Sequence, residues 1–326
     1  MSKVTGWLKK QNIPGIVYGS VLIFLFFSII EKKFFTPYNV MLIARNSCIL
    51  LTASIGMTMA VLIGQVDLSV GSVMSVSAVM VAVMVKNGVP LAAALAAAFG
   101  AAALFGLVNG ILIAVLKVDY WITTFATMSI GAGLALVISD GSTVPISSKF
   151  LDFLGNGKVC GVYFLIVLTI VLTALIIFML KKSKLGYDVY SIGGSENVAR
   201  LSGLDVNRTR MMVYLISSLI AALAGILITG MTNSASPIVG SEYSFNALAA
   251  VVIGGTSLNG GKGGVAGTVF GTVLLRIIAS GLAMLGVPAT WQKVIQGLII
   301  VVIIVADVFS EKKKDVNGLR RIYAND

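Results

Sequence analysis

The residues most suggestive of chemistry lie in the stretch 251–273. A glycine-rich loop, Gly254-Gly255-Thr256-Ser257-Leu258-Asn259-Gly260-Gly261-Lys262-Gly263, sits there between two apolar segments. Loops of this kind can cradle phosphate, because backbone amides without side chains approach anionic oxygens. The spacing here is wrong for that. A P-loop needs glycine, four residues, then Gly-Lys followed by Ser or Thr. In this chain Gly261-Lys262 is followed by Gly263, and Thr256 stands five positions before Gly261. No βαβ pattern surrounds the loop, so the dinucleotide fingerprint fails as well. The glycines suit a tight turn between closely packed membrane helices. The chain has no histidine, which removes Ser-His-Asp chemistry and the usual zinc sites. Cys48 and Cys160 have neither metal-ligand nor disulfide-framework spacing. With no paired carboxylates inside the apolar segments either, an intramembrane enzyme is disfavoured.

Polar groups inside the apolar segments are mostly neutral. A charge at the bilayer centre costs at least about 2.5 kcal/mol, so ionisable groups there mark function. Asp67, Asp119 and Asp307 fall at segment ends, and no carboxylate sits at a segment centre. That pattern argues against ion-coupled transport. Arg45, Arg276 and Lys293 fall within segments. Among the neutral groups, Asn109, Thr123, Thr124, Thr127, Asn246 and Gln296 are candidates for a translocation path. Ser and Thr in helices usually bond their own backbone, whereas an amide in hydrocarbon needs a partner. A path of this type suits an uncharged, polyhydroxylated solute.

One polar segment carries a second constellation: Ile192-Gly193-Gly194-Ser195-Glu196-Asn197-Val198-Ala199-Arg200-Leu201-Ser202-Gly203-Leu204. It reads as a short helix capped by Ser195, with Val198, Leu201 and Leu204 on one side and Gly203 near its end. It is either a solvated amphipathic loop or a knob inserted into a cytoplasmic partner.

These residues must be positioned by membrane helices. Of 326 residues, 57% are hydrophobic and 11% charged, and the mean hydropathy is +0.99. Soluble domains carry roughly 25% charged residues. Continuous apolar runs, rather than period-two alternation, exclude a membrane barrel. The expectation is an all-α integral membrane protein of about ten transmembrane helices, near 14–30, 40–63, 68–85, 90–116, 120–138, 161–180, 210–230, 242–256, 264–285 and 290–309. The first imitates a signal peptide, but Glu31-Lys32-Lys33 follows it instead of a cleavage site. Both termini are expected in the cytoplasm. That choice places Lys117, Lys181, Lys182, Lys184, Arg200, Arg208, Arg210 and Lys262 inside, along with basic residues at both ends. Only Lys32, Lys33, Lys86, Lys149 and Lys158 then fall outside. The net charge of +11 therefore reads as positive-inside bias, and no nucleic-acid partner is expected. The permease domain spans 1–310, with the longest cytoplasmic loop at 181–210. A charged tail, 311–326, reads as solvated or disordered.

Helix packing and turns are assigned to Asp67, Gly71, Gly254, Gly255, Gly261, Gly263, Gly267 and Gly271. GxxxG spacing recurs at Gly106–Gly110 and through Gly263, Gly267 and Gly271. Such faces let helix backbones approach in lipid. A weak internal repeat aligns 63–71 with 253–261 at Ile, Gly, Leu and Gly, as in transporters built from repeated halves.

Four motifs together resemble the permease subunits of ribose-type ABC importers for monosaccharides. They are Asp67-Leu68-Ser69-Val70-Gly71, Ile122-Thr123-Thr124-Phe125-Ala126-Thr127-Met128, Gly193-Gly194 through Arg200-Leu201-Ser202-Gly203, and Gly254-Gly255-Thr256-Ser257-Leu258 through Gly261-Lys262-Gly263. Leu285-Gly286-Val287 with Trp291-Gln292 adds a weaker match. The resemblance implies a multi-pass protein of the bacterial cytoplasmic (inner) membrane. It implies a second permease chain, identical or paralogous, around one path. A separate ATP-binding subunit would sit on the inner face, and a periplasmic or extracellular sugar-binding protein would deliver solute. No cofactor is expected on this chain, ATP being held by the partner subunit. Gly193, Gly194, Ser195, Glu196, Arg200, Leu201, Ser202 and Gly203 resemble the family's coupling helix. One departure is notable: after Tyr243 the family commonly shows Glu-Leu-Asp, whereas this chain has Ser244-Phe245-Asn246. A permease for another small solute (a signalling molecule or an amino acid), or a secondary transporter, are the alternatives.

Overall fold

The structure, a computed structural model, describes residues 15–295 together with 297, 298, 301, 302 and 305. The path candidate Gln296, the basic residues Lys3, Lys9 and Lys10, and the tail 311–326 lie outside the described residues.

Apolar helices occupy the expected segments. In chain order they are α1 (Gly15–Ile30), α2 (Pro37–Leu62), α3 (Val70–Lys86), α4 (Leu91–Gly110, continued by a π-helical turn Ile111–Val115) and α5 (Tyr120–Ile138). After a polar excursion come α7 (Phe164–Lys182), α10 (Val206–Thr232), α11 (Tyr243–Ile253) and α12 (Val265–Met284). Residues 289–295 are helical again. Among the described residues, six helices are long and apolar enough to cross a membrane: α2, α4 with its π turn, α5, α7, α10 and α12.

Local sequence fixes the helix starts. Thr36 caps α2 and Pro37 follows at the first turn, where its missing N–H is no loss. Asp119 accepts from the Trp121 and Ile122 amides to start α5. Asp205 accepts from Arg208 to start α10. Between α5 and α7 lie β1 (Val144–Pro145), a short amphipathic α6 (Lys149–Asn156), and a hairpin of β2 (Lys158–Val159) with β3 (Val162–Tyr163). β1 pairs antiparallel with β4 (Ser234–Ala235), which follows α10.

Two helices form the centre. α2 and α10 are mostly buried, as are the shorter α3 and α11 packed with them, whereas α4, α5 and α7 bury only a minority of their residues. α10 packs against α2, α3 and α4. Glycine makes the closest approaches: a Cβ on Gly106 would lie 2.7 Å from the Leu215 Cα, and one on Gly110 would lie 2.9 Å from the Met211 Cα. The expected glycine face of α12 packs on α11 in the same way. A Cβ on Gly267 would lie 1.9 Å from the Gly254 carbonyl oxygen, and one on Gly271 would lie 2.0 Å from that of Ala250.

α3 and α11 have 17 and 11 residues, fewer than the roughly 20 a bilayer requires. Non-helical chain at 63–69 and 236–242 precedes each of them. Their N-terminal ends meet where Gly71 and Gly240 touch backbone to backbone. Unwound backbone inside a membrane bundle must find partners within the protein, and here it does. The Gly71 amide donates to Ser244 Oγ at 3.0 Å, and Ser244 Oγ donates to the Leu68 carbonyl at 2.7 Å. The Gly240 amide donates to Ser75 Oγ at 2.9 Å.

Candidate functional site

The polar segment after α7 folds into two short helices, α8 (Lys184–Gly194) and α9 (Glu196–Leu201). Ser183 accepts from the Gly186 amide to start α8. Ser195 breaks the chain into extended geometry and accepts from the Val198 amide to start α9, as expected from its type and place. Gly203 adopts positive φ (+80°) just past the end of α9. There the Leu204 amide returns to the Ala199 carbonyl at 3.1 Å, closing the helix as a left-handed glycine cap does.

α9 presents an apolar tip to solvent. Leu201 is 89% exposed and Val198 61%. A cavity of about 380 Å³ lies beside them, lined in part by Tyr187, Tyr190, Ser195, Val198 and Leu204. Glu196 fixes the helix from below. It accepts from Arg200 at 2.8 Å, one turn along, and from Arg210 at 2.5 Å, from the first turns of α10. Partial burial pushes the Glu196 carboxyl up. The hydrogen bonds and charges of Arg200 and Arg210 outweigh that and hold it below the usual carboxylate range. Lys117, between α4 and α5, bonds Asn207 at 2.6 Å. Its ammonium is held below its ordinary range by desolvation and by the charges of Arg200 and Arg210. One carboxylate thus faces three cations, and the surface around α9 is net positive. Arg210 was not among the site residues expected from sequence; it stands 14 positions from Glu196, and nothing in the spacing foretells the pair.

The path candidates form a different assembly. Thr127 Oγ donates to Asn109 Oδ1 at 2.8 Å, and Asn109 Nδ2 donates to Ser69 Oγ at 3.0 Å. Ser69 Oγ donates to Asp67 Oδ1 at 2.5 Å, and Ser217 Oγ donates to Asp67 Oδ2 at 2.8 Å. The chain of bonds ties α5, α4, the 63–69 segment and α10 together. All five residues are buried, Asp67 completely. Thr123 and Thr124 are also buried and donate to the Asp119 and Tyr120 carbonyls of their own helix, at 2.9 and 2.7 Å. Asn246 is half-buried on α11 and is not part of this chain of bonds. Ser244, one of the two neutral replacements, is buried and stitches α11 to α3 as described above.

The turn glycines gather at one place. The Gly261 amide donates to the Leu62 carbonyl at 2.9 Å, which brings the end of 253–261 against the residue that precedes 63–71. The Gly264 amide donates to Thr256 Oγ at 3.1 Å, and a Cβ on Gly263 would lie 2.4 Å from the Thr256 Cα. Gly254 ends α11, and Gly255 follows at φ +83°. No group of three or more Cys, Asp or Glu side chains suited to a metal ion occurs among the described residues.

Known proteins resemble this chain along most of its length. The chain is 33% identical over 300 residues to the ribose import permease protein RbsC of Haemophilus influenzae, covering 90% of this chain and 92% of that one. It is 34% identical over 296 residues to RbsC of Bacillus subtilis, with 90% and 92% covered. It is 33% identical over 312 residues to the fructose import permease protein FruG of Bifidobacterium longum, covering 91% of each. No solved structure matches. The profile of one permease family, described as branched-chain amino acid transport system / permease component, matches residues 39–304. This chain is a multi-pass protein of the bacterial cytoplasmic membrane and belongs to that permease family.

Proposed function

We propose that this chain is the membrane-spanning permease subunit of an ABC importer. It moves a ribose-like monosaccharide inward with ATP hydrolysed on a separate subunit. The observation that carries this reading is α9, a short capped helix. It offers exposed Val198 and Leu201 while Glu196 is held between Arg200 and Arg210. A rigid apolar knob with a positive surround suits a groove with acidic edges. Closure of an ATPase dimer around two such knobs would rock the helices behind them. The engine must be another polypeptide, because the glycine-rich loop lacks P-loop spacing.

In this reading ten helices cross the membrane and both termini are cytoplasmic. The permease domain is 1–310, with the coupling loop at 181–210. A soluble binding protein meets the outer face, and a second permease chain completes the path. Asn109, Thr123, Thr124, Thr127, Asn246 and Gln296 are the polar residues assigned to the translocation path. The sugar assignment draws on the relatives named for ribose and fructose, which align over nine-tenths of the chain. The family description favours a second reading, an amino acid as solute. The path candidates themselves are neutral and suit a sugar better than a zwitterion.

The test is uptake of labelled ribose, fructose and leucine by proteoliposomes holding the chain with its ATPase and binding protein. ATP-dependent ribose uptake that falls about tenfold or more in Arg200→Glu is the expected result. Solute accumulation without any ATPase present would refute the reading.

A further inference from the structure

Gly193 ends α8 against bare backbone. A Cβ built there would lie 1.9 Å from the Leu62 carbonyl oxygen and 2.4 Å from the Gly261 amide nitrogen. Those two groups are themselves hydrogen-bonded at 2.9 Å. Gly260 closes the contact from the other side: its Cβ position lies 2.7 Å from the Gly64 amide nitrogen and 2.9 Å from the Gly193 Cα. Near the end of α8, Tyr190 donates its hydroxyl to the Gly263 carbonyl at 3.0 Å. Gly194, by contrast, faces open space. Three segments far apart in sequence therefore meet as backbone on backbone. Two hold or directly adjoin the stretches that the weak internal repeat aligns, 63–71 and 253–261, and the third leads directly into α9.

A close-packed contact without flexible side chains transmits displacement rather than absorbing it. From Leu62 the chain runs into the segment whose Asp67 and Ser69 are tied to α10 and α4. From Gly261 it runs into α12 and, through the Gly254–Gly267 contact, against α11. We propose that Gly193 is the transmission point through which movement of α9 reaches both repeat copies at once. This rests on the coupling role assigned to α9 above. Gly193 is a positioning residue, acting through Leu62 and Gly261.

The test uses the complete importer in proteoliposomes, with labelled ribose as probe, and measures ribose uptake and phosphate release together. Gly193→Ala is expected to lower ribose moved per ATP by about tenfold. Tyr190→Phe keeps the ring and loses one hydrogen bond, and is expected to lower the same ratio by about twofold. Gly100→Ala, on an open helix face, keeps the wild-type ratio. A second readout needs no solute. Spin labels at Asn197→Cys and Ser241→Cys, in a Cys160→Ser background, report the nucleotide-driven change in distance between α9 and the outer end of α11. That change is expected in wild type and lost in Gly193→Ala. A wild-type ratio and distance change in Gly193→Ala overturn the proposal. So does a wild-type response in Tyr190→Phe where Gly193→Ala does not assemble. A wild-type complex that moves no ribose counts against the sugar reading alone, and the spin-label arm still decides this one.

Discussion

Glu196 concentrates much of the electrostatics of the exposed helix α9. Its carboxyl is depressed in the folded chain. A depressed carboxyl stabilises the fold above its unfolded pKa and withdraws that stability as pH falls through the folded value. The bracing of α9 is therefore expected at neutral pH and lost progressively below about 4.5, the ordinary value for a glutamate. Hydrogen exchange of residues 196–204, followed from pH 7 to pH 3.5 in detergent, should show this loss. Glu196→Gln should show raised exchange throughout and little pH dependence. Asp67 is sealed in the core and accepts from Ser69 and Ser217. Asp67→Ala leaves those donors unpaired and should destabilise the fold by about 2–4 kcal/mol, whereas Asp67→Asn should cost less. A thermal melt of the purified chain checks both, and equal midpoints for wild type and Asp67→Ala would refute the assignment. At this scale sequence reading was uneven. Ser195 and Gly203 announced the helix they bound, because caps are local chemistry. Asn109 and Thr127 stood out as path candidates, but only the fold reveals that they bond each other and that Asn109 also bonds Ser69, 40 residues away.

Apolar run length located the helices, and their ends fall within a few residues of the expected ones. The expected spans already left 64–67 and 231–241 outside any helix; what run length could not show is that these segments fold into the bundle, with Gly71 and Gly240 in backbone contact. Hydropathy registers apolar character, not hydrogen-bond geometry, and Val66, Leu68, Ile238 and Val239 are as apolar as the helices beside them. GxxxG spacing was legible because three-residue gaps put glycines on one helix face; which helix that face meets was not. A direct consequence concerns the α11–α12 contact. Gly267→Ala forces a methyl against the Gly254 carbonyl and should destabilise the chain by about 1–3 kcal/mol. Gly133→Ala, where nothing lies within 4 Å, should be neutral or gain up to about 1 kcal/mol from helix propensity. Equal melting points for the two variants in the same detergent would contradict the packing described.

At the level of the molecule, orientation is the property that charge bias alone has to carry. The two cysteines provide a check with little engineering. Cys48 is buried and Cys160 is exposed in the hairpin before α7. A membrane-impermeant maleimide applied to intact spheroplasts should label the chain at Cys160. With Cys160→Ser and Asn197→Cys, labelling should require permeabilised membranes. The reverse pattern would invert the topology and remove α9 from any cytoplasmic partner. The junction of Leu62, Gly193 and Gly261 bears on a different question, that of descent. A joint built from main chain alone offers selection no side chain to adjust, so mutation can break it but hardly retune it. Diversification toward new cargoes would then be confined to surfaces elsewhere. Relatives dedicated to different nutrients should share this linkage nearly atom for atom while differing freely around it.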